Sequence, residues 1–160
     1  MTSAPPIVFF DLDGVLSTGA KDSESNPVLD PARVARLNAV TASQPNTHLV
    51  MCSSWRNCIN YIRDYGSKYG LAAPFATPAA VPNIQVVPKA DRLTSDSWCR
   101  ANEVHYWLLQ HWPTSYFVIL DDWPMWHLAS QAVRVNSAVG LTDQDVEAAK
   151  LILRRPFGPE

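Results

Sequence analysis

Three short apolar runs, each stopped by acids or hydroxyls, limit what this chain can fold into more than any other feature. Ile7-Val8-Phe9-Phe10 is followed by Asp11-Leu12-Asp13, Leu49-Val50-Met51-Cys52 by Ser53-Ser54, and Phe117-Val118-Ile119-Leu120 by Asp121-Asp122. An uninterrupted apolar run of this length suits a strand covered on both faces, as in a parallel sheet with helices packed on either side. A strand paired at a half-exposed surface would alternate apolar with polar residues instead.

Helical patterns fall between these runs. Asp30-Pro31 reads as an N-cap with proline at the first helical position, and Val34, Leu37 and Val40 (or Thr41) supply an inner face. Ser53 or Ser54 can cap a second helix, on which Trp55, Ile59 and Ile62 recur at i, i+4 and i+7 before Gly66 or Gly70. Residues 71–88 carry Pro74, Pro78, Pro82 and Pro88, so they read as an irregular connection with one short strand near Gln85–Val87. A further helix begins between Ser97 and Ala101, turns Val104, Trp107 and Leu108 inward, and is bounded by Pro113. Ala132–Val135 reads as a last strand, and Thr142 with Asp145 as the capping box of a last helix that ends before Pro156. The order β-α-β-α-(β)-α-β-α-β-α implies a doubly wound α/β fold, with a mainly parallel sheet and helices on both faces. With 160 residues, 47% of them hydrophobic, residues 1–160 form a single domain with a substantial core.

In an open parallel sheet, ligands bind beyond the carboxyl ends of the strands. That rule brings Asp11, Asp13, Ser53, Ser54, Asp121 and Asp122 to one edge, although they are far apart in the chain. Up to four carboxylates in one crevice repel each other unless a cation joins them. Hard oxygen ligands without a nearby His or Cys suit Mg²⁺. Such an ion keeps coordination positions for phosphate oxygens, and one carboxylate can attack phosphorus to give an aspartyl-phosphate.

Composition excludes several other classes. The net charge of -2 and the lack of a Lys/Arg block give no broad nucleic-acid-binding face, although a local basic site fits. Cys52, Cys58 and Cys99 form no CxxC pair, which speaks against a disulfide framework or structural zinc and fits a reducing, cytoplasmic setting. No apolar run is long enough to span a membrane, and the first one ends too early for a signal peptide. His105, His111 and His127 show no metal-ligand spacing.

The run Ile7-Val8-Phe9-Phe10-Asp11-Leu12-Asp13-Gly14-Val15-Leu16 resembles the first motif of the haloacid-dehalogenase (HAD) superfamily, hhhhDxDxVL. The Ser after Leu49–Cys52 resembles the second motif, and Val118-Ile119-Leu120-Asp121-Asp122 resembles the fourth in its DD form. The third motif is a lone cation near the start of the helix before that strand. Arg100 and Lys89 are the candidates, and Arg100 leaves the shorter gap, with room for one helix and a turn. Ser53-Ser54-Trp55-Arg56, Arg100-Ala101-Asn102-Glu103-Val104 with Trp107-Leu108, and Gly140-Leu141-Thr142 further resemble the small HAD domains of multi-domain RNA-repair proteins and their stand-alone bacterial and phage-like relatives. The resemblance spans roughly residues 7–153.

The resemblance implies a Mg²⁺-dependent phosphatase, a phosphoric monoester hydrolase with a Rossmannoid core. Asp11 would be the nucleophile and a metal ligand. Asp13 would act as general acid, then general base, and lend its backbone carbonyl to the metal. Ser53 would hydrogen-bond the phosphoryl oxygen, and Arg100 would neutralise its charge. Asp122 is the first choice for a further metal ligand and Asp121 the second. Ser54, Arg56, Gly14 and Lys89 are candidate substrate contacts. Neither residues 17–29 nor residues 71–99 are long enough for a cap domain, so the site should be open to large phosphorylated substrates, such as a protein side chain, a nucleic-acid end or a nucleotide, or else be covered by a dimer partner. An end-phosphorylated oligonucleotide should then outperform a free sugar phosphate.

Each residue also has a plainer reading. Asp11 and Asp13 can cap a turn, Ser53 and Ser54 a helix, and Asp121 and Asp122 can be turn residues before Pro124. Arg100 can pair with a neighbouring acid at the surface, and Arg56 can lie on a solvated helix face. Trp55 and Trp107 read as core residues. Trp123 and Trp126, beside the crevice, can pack at its rim or stack on a nucleobase. The alternative for the whole chain is a phosphate- or partner-binding module that keeps the fold without turnover.

Overall fold

The computed structural model describes residues 4–17, 19–53, 55, 70–71, 96–111 and 116–158, with helical backbone alone at 96–99. The elements are β1 (Ile7–Phe10), α1 (Pro31–Thr41), β2 (His48–Met51), α2 (Asp96–Gln110), β3 (Phe117–Asp121), a 3-10 helix (Trp126–Gln131), β4 (Ala132–Arg134) and α3 (Asp143–Leu153). The sheet order is β2-β1-β3-β4, and every pairing is parallel. The second expected helix and the strand near Gln85–Val87 lie outside the described residues.

The continuous apolar runs become two-faced strands. Val8, Phe10, Leu49, Met51, Val118 and Leu120 point to one side, where α1 contributes Val34, Leu37 and Val40 and α3 contributes Val146, Ala149 and Leu153. Ile7, Phe9, Val50, Phe117 and Ile119 point to the other side and meet Ala101, Val104, Trp107 and Leu108 of α2. Neighbouring strand residues face opposite ways, so a sheet covered twice needs every position apolar. Phe9 meets the rings of Trp107 and Phe117 edge-on, with centroids 5.4 and 6.2 Å away.

Helix ends follow local chemistry. Asp30 accepts hydrogen bonds from the amides of Ala32 and Arg33, and Pro31 stands at the first helical position. Thr142 and Asp145 form a reciprocal capping box at the start of α3. Arg36 donates to Asp143 at 2.8 Å and to the Leu141 carbonyl at 3.3 Å, linking α1 to the entry of α3.

One element differs from expectation. The alternating pattern calls for an α-helix between β3 and β4, but the crossover is the six-residue 3-10 helix. The DD turn and Pro124 use up much of the short segment between Asp121 and Ala132. What remains is closed by two tight 3-10 turns, entered through Trp126 at φ 44°.

The topology decides where the crevice lies. From β1 the chain goes outward to β2, then returns across the sheet to β3 on the other side of β1. The register pairs Phe10 with Met51 on one side and with Leu120 on the other. The residues just past these three positions therefore converge at the switch point.

Candidate active site

Asp11 follows the last residue of β1, and its amide donates to the Leu120 carbonyl at 2.9 Å. This bond extends the β1–β3 pairing by one step and sets the Asp11 side chain beside Asp121. Asp11 is 4% exposed and Asp121 1%. Arg100, in the second turn of α2, reaches under both. One of its terminal nitrogens donates to Asp11 Oδ2 at 2.9 Å and to the two oxygens of Asp121 at 2.9 and 3.1 Å. The flat face of its guanidinium lies 4.3 Å from the ring centroid of Trp123.

Burial opposes the charged form of all three groups. It raises Asp11 above the ordinary carboxylate range, although Arg100, Ser53 and the Leu12 amide all pull the other way. Asp121 is pushed up to about 7 by burial, with Arg100 opposing and Asp11 adding to the rise. Burial works against the Arg100 guanidinium, yet Asp121 and Asp11 more than offset it, so its charge is held more firmly than usual. Cys52, at the end of β2, lies 4.0 Å from Asp121 Oδ2, and its thiol is pushed well up by burial and then by that acid.

Asp122 completes an acidic group. Asp11, Asp121 and Asp122 each offer a carboxylate oxygen, and these oxygens all lie within 4.8 Å of one another. Asp121 is otherwise well supplied, since Arg100 and the Trp123 amide both donate to it. Asp122 Oδ1 is buried with no protein partner among the described residues. Among the described residues, three carboxylates against one guanidinium leave negative charge uncompensated, and a buried oxygen without a donor is costly. Both features fit a hard divalent cation held by oxygen ligands. Gly14 closes the other side. It holds φ 77°, and a Cβ there would meet Asp122 Oδ2 at 2.8 Å.

Asp13 does not join the acidic group. Its Oδ2 accepts a hydrogen bond of 2.9 Å from the Trp55 indole, and its Oδ1 is buried without a protein partner among the described residues. Ser53 is fully buried, and its hydroxyl accepts the Trp55 amide at 3.3 Å while hydrogen-bonding Asp11. It therefore serves as a local cap and touches the acidic centre as well. Ser54, Arg56 and Lys89 lie outside the described residues.

Three contacts were not evident in the sequence. Trp55 reads there as a core residue, Trp123 as a rim residue or nucleobase platform, and Cys52 as the end of an apolar run. Trp55 is partly buried against the core but spends its polar atom on Asp13. Trp123 packs beneath Arg100. No signal in the sequence marks the Trp55 contact, which follows from the strand register, in which residues just past Met51 lie beside those just past Phe10.

A family model described as the HAD domain in Swiss Army Knife RNA repair proteins matches residues 7–146. The chain belongs to this family. Comparisons with curated proteins and with solved structures each find no match. The HAD domain here has an all-parallel α/β core with no cap domain among the described residues. Residues 20–28 instead form a short turn-back, with Lys21 bridged to Pro27 and the Val28 amide bonded to the Ala20 carbonyl. HAD-family membership implies a phosphatase-type hydrolase, and its acidic group is a candidate metal site. No described helix is long and apolar enough to cross a membrane.

Proposed function

We propose that this chain is a Mg²⁺-dependent phosphatase that hydrolyses phosphate monoesters through an aspartyl-phosphate on Asp11, and that its open site takes nucleic-acid ends or nucleotides. The observation that carries this reading is the placement of Asp11. It is a buried carboxylate at the switch point, held by Arg100 and flanked by an oxygen of Asp122 that has no partner among the described residues. Such a group is costly to the fold, and its surroundings match what a phosphoryl group needs.

Asp11, Asp122 and Asp121, with the Asp13 backbone carbonyl, would hold the ion. When bound, Mg²⁺ supplies charge neutralisation for the carboxylates and for a phosphoryl group brought against them. Within the chain, an Asp11 oxygen forms a bond to phosphorus as the bond to the leaving oxygen breaks. Asp13 gives its proton to that leaving oxygen. Asp13 then takes a proton from the water that attacks phosphorus, which releases phosphate and restores Asp11. Arg100 stabilises charge on the transferring group, and Ser53 hydrogen-bonds one of its oxygens. A crevice without a cap domain among the described residues supports large substrates, and the family's place in RNA-repair proteins supports a nucleic-acid end.

The reading is tested with purified protein, Mg²⁺ and three substrates: a 5′-phosphorylated oligonucleotide, a 3′-phosphorylated one and p-nitrophenyl phosphate. Phosphate release from one oligonucleotide end, abolished by EDTA, is expected. Turnover of the aryl ester alone would remove the nucleic-acid claim. A folded protein that binds phosphate and turns over none of the three would be a binding module.

A further inference from the structure

Asp13 is asymmetric in a way that its chemistry can use. Its Oδ2 receives the Trp55 indole N–H at 2.9 Å, while Oδ1 is buried and has no partner among the described residues. An indole N–H is a donor only, so it engages Oδ2 as an acceptor, a role that the carbonyl oxygen of a carboxyl fills better than its hydroxyl oxygen. Oδ1 is then the oxygen that favours the hydrogen when the carboxyl carries one. Trp55 itself is fixed from several sides. Its amide is tied to the Ser53 hydroxyl, its ring packs against the core, and the ammonium of Lys21 lies 4.4 Å over the ring centroid. Lys21 comes from the turn-back that follows the first motif, so that segment and the end of β2 grip one side chain between them.

We propose that Trp55 is the positioning residue for Asp13, holding Oδ2 so that Oδ1 is the oxygen that passes the proton to the leaving alcohol. The inference rests on the phosphatase reading above, in which Asp13 is the general acid. In the first step the Asp11–phosphorus bond forms, the bond from phosphorus to the leaving oxygen breaks, and the proton on Asp13 Oδ1 moves to that oxygen. Without the indole N–H the carboxyl can turn, and either oxygen can carry the hydrogen. Leaving groups that need the proton then suffer most.

The test is a series of aryl phosphates of nearly equal shape, from p-nitrophenyl to unsubstituted phenyl phosphate, compared by kcat/KM in wild-type protein, Trp55→Phe and Asp13→Asn with Mg²⁺. A general acid contributes about 10²–10⁴ in rate to a leaving group that needs it and little to an acidic phenol. Wild-type rates should depend weakly on phenol acidity. Trp55→Phe should steepen that dependence, with phenyl phosphate losing about tenfold more than p-nitrophenyl phosphate, in the same sense as Asp13→Asn. An equal loss across the series, or none, would overturn the role of Trp55 and leave the phosphatase reading intact. No hydrolysis of the aryl esters or of either phosphorylated oligonucleotide by folded wild-type protein would overturn the phosphatase reading, and the role with it. If circular dichroism finds Trp55→Phe unfolded, replacement of Trp55 by benzothienylalanine removes the N–H and keeps the ring shape, and the same outcomes decide.

Discussion

At the scale of single residues, Asp11 and Asp121 are held where burial disfavours their charge. Asp121 is the clearest case, raised to about 7 by burial, with Arg100 opposing and Asp11 adding to the rise. A carboxyl with a folded pKa above its unfolded value of about 4 holds extra protons in the native state between these values. Its contribution to stability is present at low pH and is lost as pH rises toward and through 7. His48 and His127 act in the opposite sense, because burial lowers both. The carboxyl part is therefore read as a difference. In EDTA, the Tm of wild type minus that of Asp121→Asn should fall by a few degrees from pH 5 to pH 8. A flat or rising difference would contradict burial as the origin of the shift. Gly14 makes a second residue-scale prediction. Its Cβ-free contact with Asp122 means that Gly14→Ala must displace that carboxylate. Mg²⁺ affinity, read from the ion concentration at half-maximal thermal shift, should weaken by about tenfold or more. An unchanged midpoint would place the ion away from Asp122.

At the scale of elements, the two-sided strands were legible because burial on both faces leaves no polar position. Ile7–Phe10 and Phe117–Leu120 show this directly. Helix starts were legible wherever a cap was local, as at Asp30-Pro31 and at Thr142 with Asp145. The 3-10 crossover was not, because its form depends on how few residues must span from β3 to β4. The clustering of Asp11 with Asp121 could be inferred from strand order alone. The turning of Asp13 toward Trp55 could not, since it depends on the register between β1 and β2 and on the path of the chain beyond Ser53. The capping box also gives a prediction. Thr142→Ala removes the acceptor for the Asp145 amide and should cost about 1 kcal/mol. Urea denaturation measures this, and a change near zero would mean that α3 is held by its packing on α1 and the sheet without help from the cap.

At the scale of the whole molecule, the sheet concentrates negative charge at one edge, where three carboxylates meet Arg100 among the described residues. Binding of Mg²⁺ to the native state should therefore stabilise the protein, by about 2.7 kcal/mol when the ion exceeds its Kd a hundredfold. For a domain of this size that is roughly 5–11 °C in Tm. Asp11→Asn should reduce the shift, and Thr142→Ala should not. The same edge lacks a cap among the described residues, and the turn-back at residues 20–28 reaches it through Lys21 and Trp55.

The central claim is that Asp11 becomes phosphorylated. The direct measurement is a rapid acid quench of excess protein with Mg²⁺ and a substrate labelled with ³²P in the phosphate to be removed. The expected result is transient protein-bound label that hydroxylamine releases, that maps to the peptide containing Asp11, and that is absent from Asp11→Asn. Phosphate release without any protein-bound label, and retained in Asp11→Asn, would contradict the claim.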